Sequence, residues 1–171
     1  MLRPGDPAPP VQSRPVSGPA VAVPDPGGAV ALVFVGPLGS PLARKTLAEA
    51  QARFADFDRR GVRLVAVSSS GLDEARDFVP RHHLLPALVL DPDGAISQRY
   101  GVPEARVRLA DLGGLGRLVG ALELGLGRSA APATQAAFGV TRAGRLCDVQ
   151  VGASPFDAPD LDRLLAALEA G

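Results

Sequence analysis

Two apolar runs, Val30-Ala31-Leu32-Val33-Phe34-Val35 and Val62-Arg63-Leu64-Val65-Ala66-Val67, mark the first half of the chain, and each leads through a short turn into a stretch of helical periodicity. The first run is apolar at consecutive positions, the pattern of a strand covered on both faces, and is predicted to be the central strand of a sheet. After it, Ser40 stands at a natural N-cap position and Pro41 at the first helical position. Across the helical stretch from Arg44 to Arg60, Leu47, Ala50, Phe54 and Phe57 fall on one face, and Gly61 closes it. The second run passes through Ser68-Ser69-Ser70-Gly71 into a helix predicted over Leu72 to His83, with Asp73 and Glu74 in its first turn. Two such units in succession imply parallel strands joined by right-handed crossovers. Ala87 to Leu90 reads as a third strand, ended by the turn Asp91-Pro92-Asp93-Gly94, and Ile96 to Tyr100 as a short helix stopped by Gly101.

The flanking segments complete an α/β pattern. Residues 1–29 are rich in proline and hold the short run Val21-Ala22-Val23 before the turn Pro24-Asp25-Pro26-Gly27-Gly28, which predicts an N-terminal hairpin or extended lead-in. Leu115, Leu118, Val119, Leu122 and Leu126 form a helical stripe within a predicted insert at 105–128. Phe138 to Thr141 and Leu146 to Val151 flank Arg142-Ala143-Gly144-Arg145 as an antiparallel hairpin, and Pro159 to Ala170 form a last helix that buries Leu161, Leu164, Leu165 and Leu168. A single domain over 1–171 accommodates all of these elements.

Charge and residue counts narrow the function. Lys plus Arg and Asp plus Glu each number 18, with no basic block interleaved with aromatics, so neither nucleic acid nor an anionic membrane is expected as a partner. No apolar run approaches the roughly 18 residues of a membrane span, and the first residues lead into no signal-peptide core; the expectation is a cytoplasmic protein. Its partners are expected to be another protein or a second copy of the chain. The lone Cys147 excludes an intramolecular disulfide. Strand alternation puts Cys147 with Arg145, Val149 and Val151, opposite Leu146, Asp148 and Gln150, and no helix start precedes it to activate its thiol. His82 and His83 are adjacent, a spacing that does not direct both rings to one metal, and no metal site is expected. The glycines of Gly114-Leu115-Gly116-Arg117-Leu118-Val119-Gly120 follow no strong strand and have the wrong final spacing for a dinucleotide fingerprint, so no cofactor is implied.

The turn Ser40-Pro41-Leu42-Ala43 carries the main chemical information. A thiol at a strand-to-helix turn has its thiolate stabilised by the helix N-terminal N–H groups and dipole, but here the side chains are a hydroxyl and a methyl. Ser40 is expected to cap the helix with its hydroxyl; no Gly-x-Ser-x-Gly elbow surrounds it to make it a nucleophile. Arg44, beside the same helix start, is either an anion ligand or a solvated helix residue.

These segments, in this order, resemble the alkyl hydroperoxide reductase/thiol-specific antioxidant family. Gly5-Asp6-Pro7-Ala8-Pro9 is similar to the family's opening, Phe34 to Ala43 to its Phe-Tyr-Pro...Thr-Pro-x-Cys segment, and Gly61 to Ser68 to its second strand. Leu90-Asp91-Pro92-Asp93-Gly94 followed by Tyr100-Gly101-Val102 resembles a further pair of its motifs. The insert, together with Ser40-Pro41-Leu42-Ala43-Arg44 set against Cys-Pro-x-Cys-Arg, resembles the branch related to selenoprotein U. Gln135 ahead of Phe138 and the segment Ser154 to Pro159 also look like this branch. The resemblance implies a thioredoxin-like, peroxiredoxin-type fold with a mixed central sheet and helices on both faces. It places Ser40 at the family's Thr position, Ala43 at its peroxidatic Cys, and Gln135 near its assisting Arg. Ser40, Arg44 and Gln135 are then candidate ligand-binding residues. Two functions stand: a non-catalytic binding or regulatory module, or a thiol-dependent antioxidant oxidoreductase acting through Cys147 or through cysteines replaced at Ser40 and Ala43.

Overall fold

The computed structural model describes residues 1–103, 134–154 and 156–171; the insert predicted at 105–128 lies outside the described residues. A lead-in carries an antiparallel pair, β1 (Val11–Ser13) and β2 (Val21–Val23). Then follow β3 (Ala29–Phe34), α1 (Pro41–Arg59), β4 (Val62–Ser68), α2 (Leu72–Arg81), β5 (Ala87–Leu90), α3 (Ala95–Arg99), β6 (Ala136–Val140), β7 (Leu146–Val151) and a final helix, here α4 (Leu161–Ala170). The five-stranded sheet has the order β5-β4-β3-β6-β7. Strands β3, β4 and β5 run parallel, β6 adds antiparallel to the other side of β3, and β7 pairs antiparallel to β6.

The all-apolar run is the middle strand because both its faces are covered. Ala31 and Val33 point into a layer built by Leu47 and Phe57 of α1, Ala75 of α2, and Leu164 and Leu168 of α4. Val30, Leu32 and Phe34 point the other way, where Val11, Val21 and Val23 of the lead-in join Tyr100 and Phe138. The rings of Phe34, Tyr100 and Phe138 pack with centroids 4.9 to 5.6 Å apart. Full burial of side chains of this size contributes roughly 1.5–3 kcal/mol each, which makes this double layer the main stabiliser of the sheet. The Leu-Asp-Pro-Asp-Gly turn has a structural role: buried Asp91 accepts from the Ile96 and Ser97 amides and the Ser97 hydroxyl, so its carboxylate starts α3. Helix α2 ends at Arg81, two residues before the predicted end, where Pro80 interrupts the hydrogen-bond pattern and His83 takes a left-handed φ of 48°.

The alternation predicted for Cys147 is corrected by a β-bulge. Gly139 pairs with Asp148 but the next residue, Val140, pairs with Leu146, so Cys147 is the extra residue of β7. The inserted residue shifts the parity of the strand. Leu146, Val149 and Val151 therefore share the lead-in face, and Cys147 instead packs toward α4. Gly139 makes room for it: a Cβ there would lie 2.7 Å from Cys147 Sγ and 3.3 Å from the side chains of both Leu164 and Leu168.

Candidate functional site

The turn between β3 and α1 is held from three sides. Val35 donates its amide to the Val67 carbonyl at 3.0 Å, extending the parallel pairing one residue past the strand. At the end of β4 and just past it, two buried serines fasten the loop: Ser68 Oγ donates to the Gly36 carbonyl at 2.7 Å, and the Leu38 amide donates to Ser70 Oγ at 2.9 Å. Ser70 in turn donates its amide to Ser68 Oγ at 3.1 Å. From the far side of β3, Gln135 reaches in just ahead of β6. Its Nε2 donates to the Val35 carbonyl at 3.2 Å, and its Oε1 accepts from Thr46 Oγ1 of α1 at 2.7 Å. Gln135 is 1% exposed and Thr46 fully buried, so the amide joins helix, strand and loop inside the core.

The helix start differs from expectation in one respect. Ser40 has the extended backbone of an N-cap and its carbonyl accepts from the Arg44 amide at 3.1 Å, yet its hydroxyl makes no capping bond. Pro41 occupies the first turn, where its missing N–H costs nothing, and no acidic residue stands in that turn. Ala43 is fully buried in the layer with Leu47 and Ala50. Arg44 is exposed and pairs with no carboxylate among the described residues, and it is not brought to buried Gln135. An acidic side chain borders the loop, since a Cβ on Gly39 would meet Glu74 Oε1 of α2 at 3.4 Å.

Cys147 lies half-buried in a different setting. Burial pushes its thiol up from the ordinary range; a hydrogen bond from its own backbone N–H opposes this, and the neighbouring Asp148 carboxylate adds a smaller upward push. Asp148 is itself buried, accepting from Arg163 at 2.6 Å, Gln150 Nε2 at 2.7 Å and the Val149 amide at 3.0 Å. A cleft of about 310 Å³ opens between the end of β7 and the start of α4, lined by Gln135, Gln150, Asp157 and Arg163 among others. Among the described residues no buried side-chain nitrogen or oxygen lacks a hydrogen-bond partner, and no group of three or more His, Cys, Asp or Glu is placed to hold a metal ion.

The residue reading singled out Ser40, Ala43 and Arg44, and the family resemblance added Gln135; both missed Thr46, Ser68 and Ser70. The serines carried a signal: polar residues directly after the apolar run Val62–Val67 are placed at the end of a buried strand, beside the β3–α1 loop. Thr46 carried none, because one hydroxyl on a helix is ordinary. Chemically, the buried polar groups behind the turn are neutral and bonded to one another or to backbone. The start of α1 presents the buried methyl of Ala43, and the buried polar group reaching the turn from β6 is the uncharged amide of Gln135.

A mixed sheet with this strand order, its thiol-type turn after the central strand and helices on both faces, is a thioredoxin-like fold of the peroxiredoxin kind. The sequence matches the AhpC/TSA family over residues 4–122, well over half its length, and the chain belongs to that family. No curated protein matches it. Among solved structures it is similar to peroxidoxin BcpB from Mycobacterium tuberculosis, with 18% identity, 99% of this chain and 98% of that one covered, and a TM-score of 0.70. It is similar also to a protein described as the thiol:disulfide interchange protein DsbE from Chlorobium tepidum, at 22% identity, 98% and 99% coverage and a TM-score of 0.66. A third likeness is to the bacterioferritin comigratory protein of Xanthomonas campestris, at 15% identity, 94% and 90% coverage and a TM-score of 0.68. At these identities the likeness speaks for the fold. No described helix is long and apolar enough to cross a membrane.

Proposed function

We propose that this chain is a non-catalytic member of its family, of the selenoprotein U-like branch, which keeps the active turn as a rigid scaffold and acts as a cytoplasmic binding or regulatory module. One observation carries the reading: the first turn of α1, where helix amides favour a thiolate, holds the fully buried methyl of Ala43. Peroxide reduction through a thiol requires a thiolate that becomes a sulfenic acid, and neither Ser40 nor Ala43 can enter that sequence. The neutral pair Thr46–Gln135 fits the same reading, since it supplies no fixed positive charge to a developing anion. Half-buried Ser40 and exposed Arg44 are left as its contact groups.

The test is consumption of hydrogen peroxide and of an alkyl hydroperoxide in the presence of a thiol reductant, with Cys147→Ser as control. Equal, background-level rates are expected. Rapid turnover that disappears in Cys147→Ser would replace the reading with that of a thiol peroxidase using Cys147.

A further inference from the structure

The cleft between the end of β7 and the start of α4 stands two strands out from the β3–α1 turn in the order β5-β4-β3-β6-β7, so it is a separate site. Its volume of about 310 Å³ is at the small end of the range for small-molecule sites. Its walls are fixed by their own hydrogen bonds. Asp160, the residue before α4, donates its amide to Gln150 Oε1 at 2.7 Å, and its carbonyl accepts from Gln150 Nε2 at 2.9 Å, which ties strand to helix. The Gly152 amide donates to the Gln135 carbonyl at 3.0 Å. Past it, the Ser154 amide donates to Asp157 Oδ2 at 2.8 Å and the Asp157 amide to the Ser154 carbonyl at 3.2 Å. The connection folds back closely here: a Cβ on Gly152 would lie 3.0 Å from the Ser154 carbonyl oxygen and 3.2 Å from Asp157 Cβ.

Arg163 and Asp157 are the charged residues that line the cleft, and each keeps bonding capacity. Arg163 is pinned at one nitrogen: Nη2 donates to Oδ1 of buried Asp148 at 2.6 Å, and Gln150 Nε2 holds the other oxygen of Asp148 at 2.7 Å. Asp157 has one oxygen engaged by Ser154. Among the described residues, the remaining guanidinium N–H groups of Arg163 and Oδ1 of Asp157 have no partner. A guanidinium held from behind by a buried carboxylate keeps donors for a second carboxylate. A simple anion brought there also meets the charges of Asp157 and Asp148, however, and a simple amine meets Arg163. A molecule that carries both groups answers each residue with the opposite charge. We propose that the cleft binds a small zwitterion of the amino-acid class, with its carboxylate on Arg163 and its ammonium on Asp157.

Amide NMR of the full chain tests this with matched probes: L-alanine, N-acetyl-L-alanine, which lacks the ammonium, and L-alaninamide, which lacks the carboxylate. L-alanine should shift the Gly152 and Asp157 amide resonances saturably, and each singly charged probe should bind about tenfold more weakly or worse. Arg163→Gln should weaken L-alanine by a similar factor. Asp157→Asn should also weaken L-alanine, yet strengthen N-acetyl-L-alanine by removing a like charge. Absence of a saturable shift with millimolar L-alanine would overturn the proposal. So would a singly charged probe that binds as tightly as L-alanine, or L-alanine binding that Asp157→Asn leaves untouched. If Arg163→Gln, which leaves buried Asp148 without its cation, does not fold, Asp157→Asn at its exposed position and the probe series decide.

Discussion

The β3–α1 turn and the β7 bulge divide between them what a reactive thiol needs. The turn has the helix start but no sulfur, with Ala43 fully buried behind Ser40. The bulge has the sulfur of Cys147 but no helix start, and burial beside the Asp148 carboxylate pushes that thiol up. Polar groups at the turn are neutral and paired with one another, whereas those beside Cys147 are charged and paired as Asp148 with Arg163. Reactivity belongs to the combination of sulfur and place, and here the helix start and the one cysteine lie in different parts of the fold.

The comparison is broken most forcefully by removing the polar bridge of the turn. Gln135→Leu leaves the Thr46 hydroxyl and the Val35 carbonyl buried without that partner, at an expected cost of about 2–4 kcal/mol in urea unfolding. Adding Thr46→Val should recover part of the loss, because one unpaired hydroxyl then disappears. A loss under about 0.5 kcal/mol would show that the bridge does not hold the turn.

On the other side, Gly139→Ala drives a methyl toward Cys147 Sγ and α4 and should cost about 1–3 kcal/mol, partly relieved by Cys147→Ala. Gly71→Ala is the matched control, since a Cβ there meets nothing within 4 Å and the backbone φ is −77°; it should be close to neutral.

A restored sulfur sharpens the contrast directly. Ala43→Cys in a Cys147→Ser background should give a thiol that titrates below the reference of about 8.5, because helix amides favour its thiolate, while Cys147 titrates above its ordinary range. At neutral pH the introduced thiol should therefore alkylate faster than Cys147, by about threefold for each unit separating the two, the tenfold gain in thiolate being partly offset by its lower nucleophilicity. Glu74→Gln should lower its pKa further by removing the carboxylate that borders the loop. A titration at or above the free-cysteine reference of about 8.5 would refute the assignment of Ala43 to the vacated redox position.

The smallest effect is expected at Ser40. Its hydroxyl makes no capping bond, so Ser40→Ala should change stability by less than about 0.5 kcal/mol. Asp160, whose carboxylate accepts from the Arg163 amide at the start of α4, should lose about 1 kcal/mol on the same substitution. Thermal melts of the two variants side by side measure the difference.

Read alone, the chain determined the order of elements, the central strand, the Asp91 turn and the identity of the residues after β3, because each depends on periodicity or turn chemistry within a few positions. That Ala43 and Ser40 lack sulfur is likewise a fact of sequence. Tertiary structure decided which distant groups meet. Thr46 and Gln135 lie 89 residues apart, and Ser68 and Ser70 fasten a loop 32 residues earlier, contacts that no local pattern announces. The bulge overturned the placement of Cys147 because strand alternation counts residues, and one residue without a partner reverses every face before it relative to those after. The contact of the lead-in with β7 belongs to the same class: Gly5–Ala8 reads locally as a proline-rich lead-in, and only the sheet's edge, assembled from residues far along the chain, gives its backbone groups something to hold, as where the Gly5 amide donates to the Leu146 carbonyl and the Ala8 amide to the Gly144 carbonyl.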